Sequence, residues 1–185
     1  VRTALLIVDM LNRYEHADAG SLAESAAAAV PNIRRLLDAA HGGDAGEGPM
    51  FVVYVNDHHD DWTAGRAELV RWALGGARPD LIEPIAPPDD VPLLVKARHS
   101  AFYSTQLEYL LRSREIEQVV LTGQVTEQCI LYSALDAYIR HFGVVVPRDA
   151  VATIHPDLGD AALRMMERNM DAIVDTTDHI ADLLR

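Results

Sequence analysis

An α/β fold is predicted for this 185-residue sequence: a three-layer, doubly wound, six-stranded parallel sheet, Rossmann-like, with helices on both faces. Two observations predict it. Six short apolar runs lack polar alternation, as expected of strands buried on both faces. Longer amphipathic segments separate them, and strand-helix repeats in that order close by right-handed crossovers.

The strands are expected at residues 4–8, 51–55, 93–95, 119–121, 144–146 and 172–174, all continuous apolar stretches. Helices are expected at residues 21–40, 63–74, 104–113, 126–142, 156–170 and 178–184. The first helix carries Leu22, Ala26, Val30, Ile33, Leu36 and Leu37 at helical spacing and is expected to stop near Gly42-Gly43. Two segments interrupt the alternation. Residues 41–49 are Gly-rich and read as a surface turn, whereas the Pro-rich residues 75–92 read as a long irregular excursion, a type of loop that often covers a site.

Composition narrows the function classes. With 49% hydrophobic and 24% charged residues, the chain can bury a substantial core as one globular domain. Its formal net charge of -12 argues against nucleic acid or an anionic membrane as partner, because both need concentrated basic surface. The apolar runs are too short to span a bilayer. A single cysteine cannot form an internal disulfide, and no stretch has the pattern of a signal peptide, so a cytoplasmic location is expected.

Ligands of open parallel sheets bind beyond the carboxyl ends of the strands. That rule selects Asp9 after the first strand, Asn56-Asp57 after the second, Lys96 after the third, residues 123–129 after the fourth and 147–149 after the fifth. An acid, an ammonium and a thiol thus come to one sheet edge. Cys129, where a buried strand turns into a helix, reads either as a nucleophile favoured by helix N-H groups or as a small buried hydrophobe. Asp9 alone could equally cap a turn or bind a ribose, and Lys96 alone could be a solvated loop charge. A dinucleotide site would need a Gly-rich turn after the first strand, but the sequence there is Asp9-Met10-Leu11-Asn12-Arg13-Tyr14.

Three segments resemble the signatures of the isochorismatase-like cysteine hydrolases. They are Leu6-Ile7-Val8-Asp9-Met10-Leu11-Asn12, Lys96-Ala97-Arg98-His99-Ser100-Ala101-Phe102 and Thr122-Gly123-Gln124-Val125-Thr126-Glu127-Gln128-Cys129-Ile130. This superfamily includes isochorismatases, nicotinamidases, N-carbamoylsarcosine amidohydrolases and ureidoacrylate amidohydrolases. The resemblance covers essentially the whole chain in the correct order and implies a single domain of this kind over residues 1–185.

It also implies a catalytic triad of Asp9, Lys96 and Cys129, with a cis peptide at Gln124-Val125. The backbone N-H groups of Val125 and Cys129 would then form an oxyanion hole, whose donors are typically worth about 3–4 kcal/mol of barrier each. In that scheme Asp9 takes the thiol proton, Lys96 stabilises the thiolate, and the sulfur attacks an amide carbonyl. Asp9 then protonates the departing amine and activates the water that hydrolyses the thioester. No cofactor is required. The implied reaction cleaves a small amide, ureido or carbamoyl C-N bond; the alternatives are vinyl ether hydrolysis of the isochorismatase type, or a non-catalytic ligand-binding or assembly role.

The chain departs from the family pattern in places. Leu11 stands where relatives often carry Gln, and Glu127-Gln128 replaces a commoner pair, with the pocket or a neighbouring subunit as expected surroundings. Asp57-His58-His59 matches the start of a nicotinamidase metal site, but no further histidine follows before Arg71, so no metal is expected. His99, His141, His155 and His179 read as surface or packing residues. Tyr14, Asn56, Trp62, Phe102 and Tyr132 are candidate substrate-binding residues by location, with the protein core as the alternative for the aromatics. Arg98 would suit a substrate carboxylate or a surface acid. The resemblance further implies a homodimer or homotetramer.

Overall fold

The computed structural model describes residues 1–41 and 48–183. The expected helix stop at Gly42-Gly43 and most of the expected turn at 41–49 lie outside the described residues. The elements run β1 (Thr3–Val8), α1 (Ala19–Ala40), β2 (Met50–Asp57), α2 (Arg66–Leu74), β3 (Leu93–Lys96), α3 (Leu107–Ser113), β4 (Gln118–Gln124), α4 (Leu131–Ile139), β5 (Gly143–Pro147), β6 (Val151–Ala152), α5 (Pro156–Asn169), β7 (Ile173–Asp175) and α6 (Thr177–Leu183).

All strand pairs are parallel, in the order β3-β2-β1-β4-β5-β7, with β6 pairing to β4. The expected doubly wound α/β fold is therefore present, with a seventh strand added. That strand, β6, is two residues long and extends the carboxyl end of β4 through Gly123↔Val151 and Gln124↔Ala152. Two residues are too short to show an apolar run.

The two-residue side-chain period of the strands divides the core into two layers. Leu5 and Ile7 of β1 join Val52 and Tyr54 under α1 and α2, whereas Ala4, Leu6 and Val8 join Val53, Val55, Val119 and Leu121 under α3, α4 and α5. Both faces are thereby covered, which explains why the strands read as continuous apolar runs.

The Pro-rich excursion is ordered. It forms two short 3-10 turns, Pro79–Leu81 and Glu83–Ile85, which pack buried Leu81, Ile82 and Ile85 into the α1 layer. Tyr54 donates its hydroxyl hydrogen to the Ile85 carbonyl at 3.0 Å, anchoring the segment to β2.

The helix expected over 126–142 is broken in two. A π turn spans Thr126–Ile130, with Ile130 N-H donating to Val125 O at 3.1 Å, and α4 ends at Ile139 before His141 adopts a positive φ of 61°. Single π turns inserted at helix starts often re-aim functional side chains. Here the turn carries Cys129.

The chain reverses from β2 on one side of β1 to β4 on the other, so the carboxyl ends of β1 and β4 form the topological switch. Gly123 makes their close approach possible. Its φ is +107°, and a Cβ there would lie 2.1 Å from Val8 O. Gly123→Ala is expected to cost more than about 2 kcal/mol of stability, from a disfavoured conformation combined with a backbone clash. An unchanged denaturation midpoint would contradict this.

Candidate active site

Lys96 is the last residue of β3, and its side chain is buried at 1% exposure. An ammonium in that position needs compensating partners. Its Nζ lies 2.8 Å from Asp9 Oδ2, 3.8 Å from Asp57 Oδ2 and 3.6 Å from Cys129 Sγ, and it donates to Arg98 O at 3.0 Å. The acid, ammonium and thiol selected from three strand ends thus meet around one nitrogen.

Asp9 is held in place from several directions. It has a φ of 54°, a conformation that Asp tolerates better than most residues. Its N-H donates to Val55 O at 2.9 Å, and its carbonyl accepts Gln124 Nε2 at 2.9 Å. The remaining carboxylate oxygen, Oδ1, accepts the Asp57 backbone N-H at 2.8 Å. Both oxygens are therefore engaged by the fold.

Cys129 is buried, and its thiol is pushed well above the usual range, first by burial and then by the negative charge of Asp9; Lys96 and a backbone N-H from Val125 act in the opposite direction. Burial and the nearby carboxylate thus oppose the thiolate that a helix N-terminus favours. Lys96 is itself held above the ordinary lysine range: burial alone would lower it, but Asp9, Cys129 and Asp57 together raise it.

The Gln124-Val125 peptide is cis. Gln124 is buried between Asp9 O and the hydroxyl of Tyr14, which donates to Gln124 Oε1 at 3.1 Å. Glu127 is engaged by hydrogen bonds within the chain. It accepts the Thr153 hydroxyl at 2.5 Å, Ile154 N-H at 3.0 Å and His155 N-H at 2.8 Å, tying the π turn to the start of α5.

Several candidate substrate residues have other roles. Asn56 accepts Leu11 N-H at 2.9 Å and donates to Leu11 O at 3.2 Å, so it braces the loop after β1. Tyr14 is buried, its hydroxyl committed to Gln124 and held up to about 12 by burial. Phe102 lies in the core, its ring 5.9 Å from that of Phe142. A position on an active-edge loop does not fix which way a side chain points, and all three have partners within the fold. Trp62 is 76% exposed beside His58, and Tyr132 is exposed at the start of α4.

His99 is an exposed residue that also borders the thiol. Its Nδ1 is 3.7 Å from Cys129 Sγ, and its ring lies 5.5 Å from Tyr132. The available signal was its place three residues after Lys96, in a loop whose Ala101 N-H is fixed to Ser133 of α4 at 2.9 Å.

The Asp57-His58-His59 stretch makes contacts within the fold. His59 Nε2 lies 2.9 Å from Leu11 O and its ring stacks on Trp72, while Asp57 Oδ1 accepts the His59 N-H at 2.8 Å. Among the described residues no group of three or more His, Cys, Asp or Glu is placed to hold a metal ion. A groove of about 550 Å³ near Thr3, Met50 and Phe51 lies at the opposite, amino-terminal edge of the strands and is not lined by Asp9, Lys96 or Cys129. No described helix is long and apolar enough to cross a membrane.

Fold and site together define an α/β protein with acid, ammonium and thiol at its switch point. Residues 3–178 match the isochorismatase domain. The chain belongs to the isochorismatase family and is a hydrolase of that family. It is 34% identical over 179 residues to the uncharacterized isochorismatase family protein YaaI of Bacillus subtilis (strain 168), covering 97% of this chain and 96% of that protein. It is 30% identical over 190 residues to a maleamate amidohydrolase of Pseudomonas putida, covering 98% and 87%. Among solved structures, an N-carbamoylsarcosine amidase from Thermoplasma acidophilum superposes with a TM-score of 0.72 at 28% identity, covering 96% of this chain and 98% of that one.

The opposed influences on Cys129 give a signed prediction. Removing the charge of Asp9 (Asp9→Asn) should shift the pH dependence of iodoacetamide alkylation to lower pH, and Lys96→Ala should shift it to higher pH. Profiles that coincide with wild type in both variants would contradict the arrangement.

Proposed function

We propose that the chain is a cysteine hydrolase that cleaves a small amide, ureido or carbamoyl C-N bond through a thioester on Cys129. The observation that carries this reading is the buried Lys96 ammonium, 2.8 Å from Asp9 and 3.6 Å from the Cys129 sulfur. The amide-hydrolysing names of the Pseudomonas and Thermoplasma relatives support the bond type.

The mechanism follows from the meeting of Asp9, Lys96 and Cys129. Asp9 takes the Cys129 proton as the sulfur attacks the carbonyl carbon, so charge moves onto the sulfur only when bond formation uses it. Lys96 stabilises that transient negative charge in a low-dielectric setting, where it counts for more than in water. The N-H groups of Val125 and Cys129 are the oxyanion donors in this reading. The tetrahedral adduct collapses as the C-N bond breaks, and the departing nitrogen takes the proton held by Asp9.

The reading extends to assembly as a homodimer or homotetramer. Tyr132, Leu135, Tyr138 and Ile139 leave one side of α4 exposed and apolar, which supports it. Sedimentation should give a mass of two or four chains; a monomer at micromolar concentration would contradict it.

Ammonia release across a panel of small amides, ureido acids and carbamoyl amino acids tests the chemistry. At least one compound should be turned over, with Cys129→Ala at the blank level and Asp9→Asn slower by about 10²–10⁴-fold. Equal release by wild type and Cys129→Ala would overturn the proposal.

A further inference from the structure

We propose that Arg98 selects the substrate by binding a carboxylate, so that the substrate is a short amide, ureido or carbamoyl acid whose carboxylate lies a few bonds from the scissile carbonyl. This rests on the Cys129 hydrolase reading above and narrows its substrate class. Arg98 differs from most arginines of the chain. Arg13 is taken up by Glu15, Arg78 by Asp80 and Arg140 by Glu108, as expected on a surface of net charge -12. Arg98 is exposed, and among the described residues its side chain has no hydrogen bond, ion pair or ring contact. The surface acid that the sequence left open as its partner is absent. Arg164 and Arg168 of α5 are unpaired too, but no contact ties either to Lys96 or Cys129.

The backbone of Arg98 belongs to the site. Its carbonyl accepts Lys96 Nζ at 3.0 Å, and the same nitrogen lies 3.6 Å from Cys129 Sγ. The next residue, His99, has Nδ1 3.7 Å from that sulfur. Further along, the loop is pinned where Ala101 N-H donates to Ser133 Oγ at 2.9 Å and Phe102 N-H donates to Ser100 Oγ at 3.2 Å. A fixed backbone thus roots an unpaired guanidinium beside the reacting sulfur, on a stem long enough to meet a group bound there.

Charge decides which group that is. Lys96 is one positive charge set against the carboxylates of Asp9 and Asp57, so the buried cluster gives an incoming anion no net attraction. The field of a chain with net charge -12 opposes the anion further. A substrate carboxylate therefore needs a local cation, and a guanidinium supplies it through two parallel hydrogen bonds that also fix orientation. Arg98 then holds the acid end while the amide end lies at Cys129. Because Lys96 uses only the carbonyl of Arg98, the side chain can be exchanged with that bond kept.

Two measurements test the assignment. The first is the ratio of kcat/KM, by ammonia release, for succinamate and 3-ureidopropionate over their uncharged methyl esters. Wild type should favour the acids by about 10²-fold; Arg98→Gln should bring the ratio near unity, mainly through KM, Arg98→Lys should fall between, and Arg164→Gln should match wild type. The second needs no turnover: succinate should protect Cys129 from iodoacetamide, with the half-protecting concentration raised about tenfold or more in Arg98→Gln. A wild type that does not favour the acids, or a ratio or protection that Arg98→Gln leaves within threefold of wild type, would overturn the role of Arg98 and leave the Cys129 reading intact. Arg98-dependent protection without any Cys129-dependent turnover would overturn the thioester reading and keep Arg98 as the carboxylate site.

Discussion

An ammonium taken out of water at the end of β3 sets the terms for everything around it. Lys96 is 2% exposed, and a buried charge of this kind is tolerated only when opposite charge and hydrogen-bond acceptors surround it. Asp9 supplies the main countercharge, Arg98 O a neutral acceptor and Asp57 a second carboxylate further out. The sulfur of Cys129 completes the shell. The geometry that neutralises Lys96 is the same geometry that lines up a base, a cation and a nucleophile.

The rest of the fold holds that shell rigid. Parallel pairing brings β1, β2, β3 and β4 to a common edge, and register sets Asp57 beside Lys96 and Gly123 beside Val8. Gly123 lets the strands approach at the switch point, and Gln124 fastens the carbonyl of Asp9 while Tyr14 fastens Gln124. Glu127 locks the turn that carries Cys129 to the first residues of α5. Two residues that look like pocket candidates by position, Asn56 and Tyr14, are braces of this frame.

The architecture was legible because strands buried on both faces must read as unbroken apolar runs, and because strand ends in a parallel sheet share one edge. Asp9, Lys96 and Cys129 could be selected by that edge rule before any distance was known. The rule carries no information about direction. Asn56, Tyr14 and Phe102 satisfy it yet turn inward, and His99 lies past a strand end in a loop whose path depends on the Ala101-Ser133 bond. The balance at Cys129 was equally hidden, since helix position favours a thiolate whereas burial and Asp9 oppose it. β6 and the π turn escaped because each deviates from regular structure over too few residues to leave a periodic trace.

The dependence of the site on the Lys96-Asp9 pair can be measured as a coupling energy by denaturant unfolding of Asp9→Asn, Lys96→Met and the double variant. Each single change leaves a buried polar or charged group without its partner, and loss of one member of such a pair costs about 3–5 kcal/mol. The double change removes the charge that demanded compensation, so its cost should fall well below the sum of the singles. Losses that simply add would show that the two groups are stabilised independently, and would contradict the claim that this one ion pair organises the site.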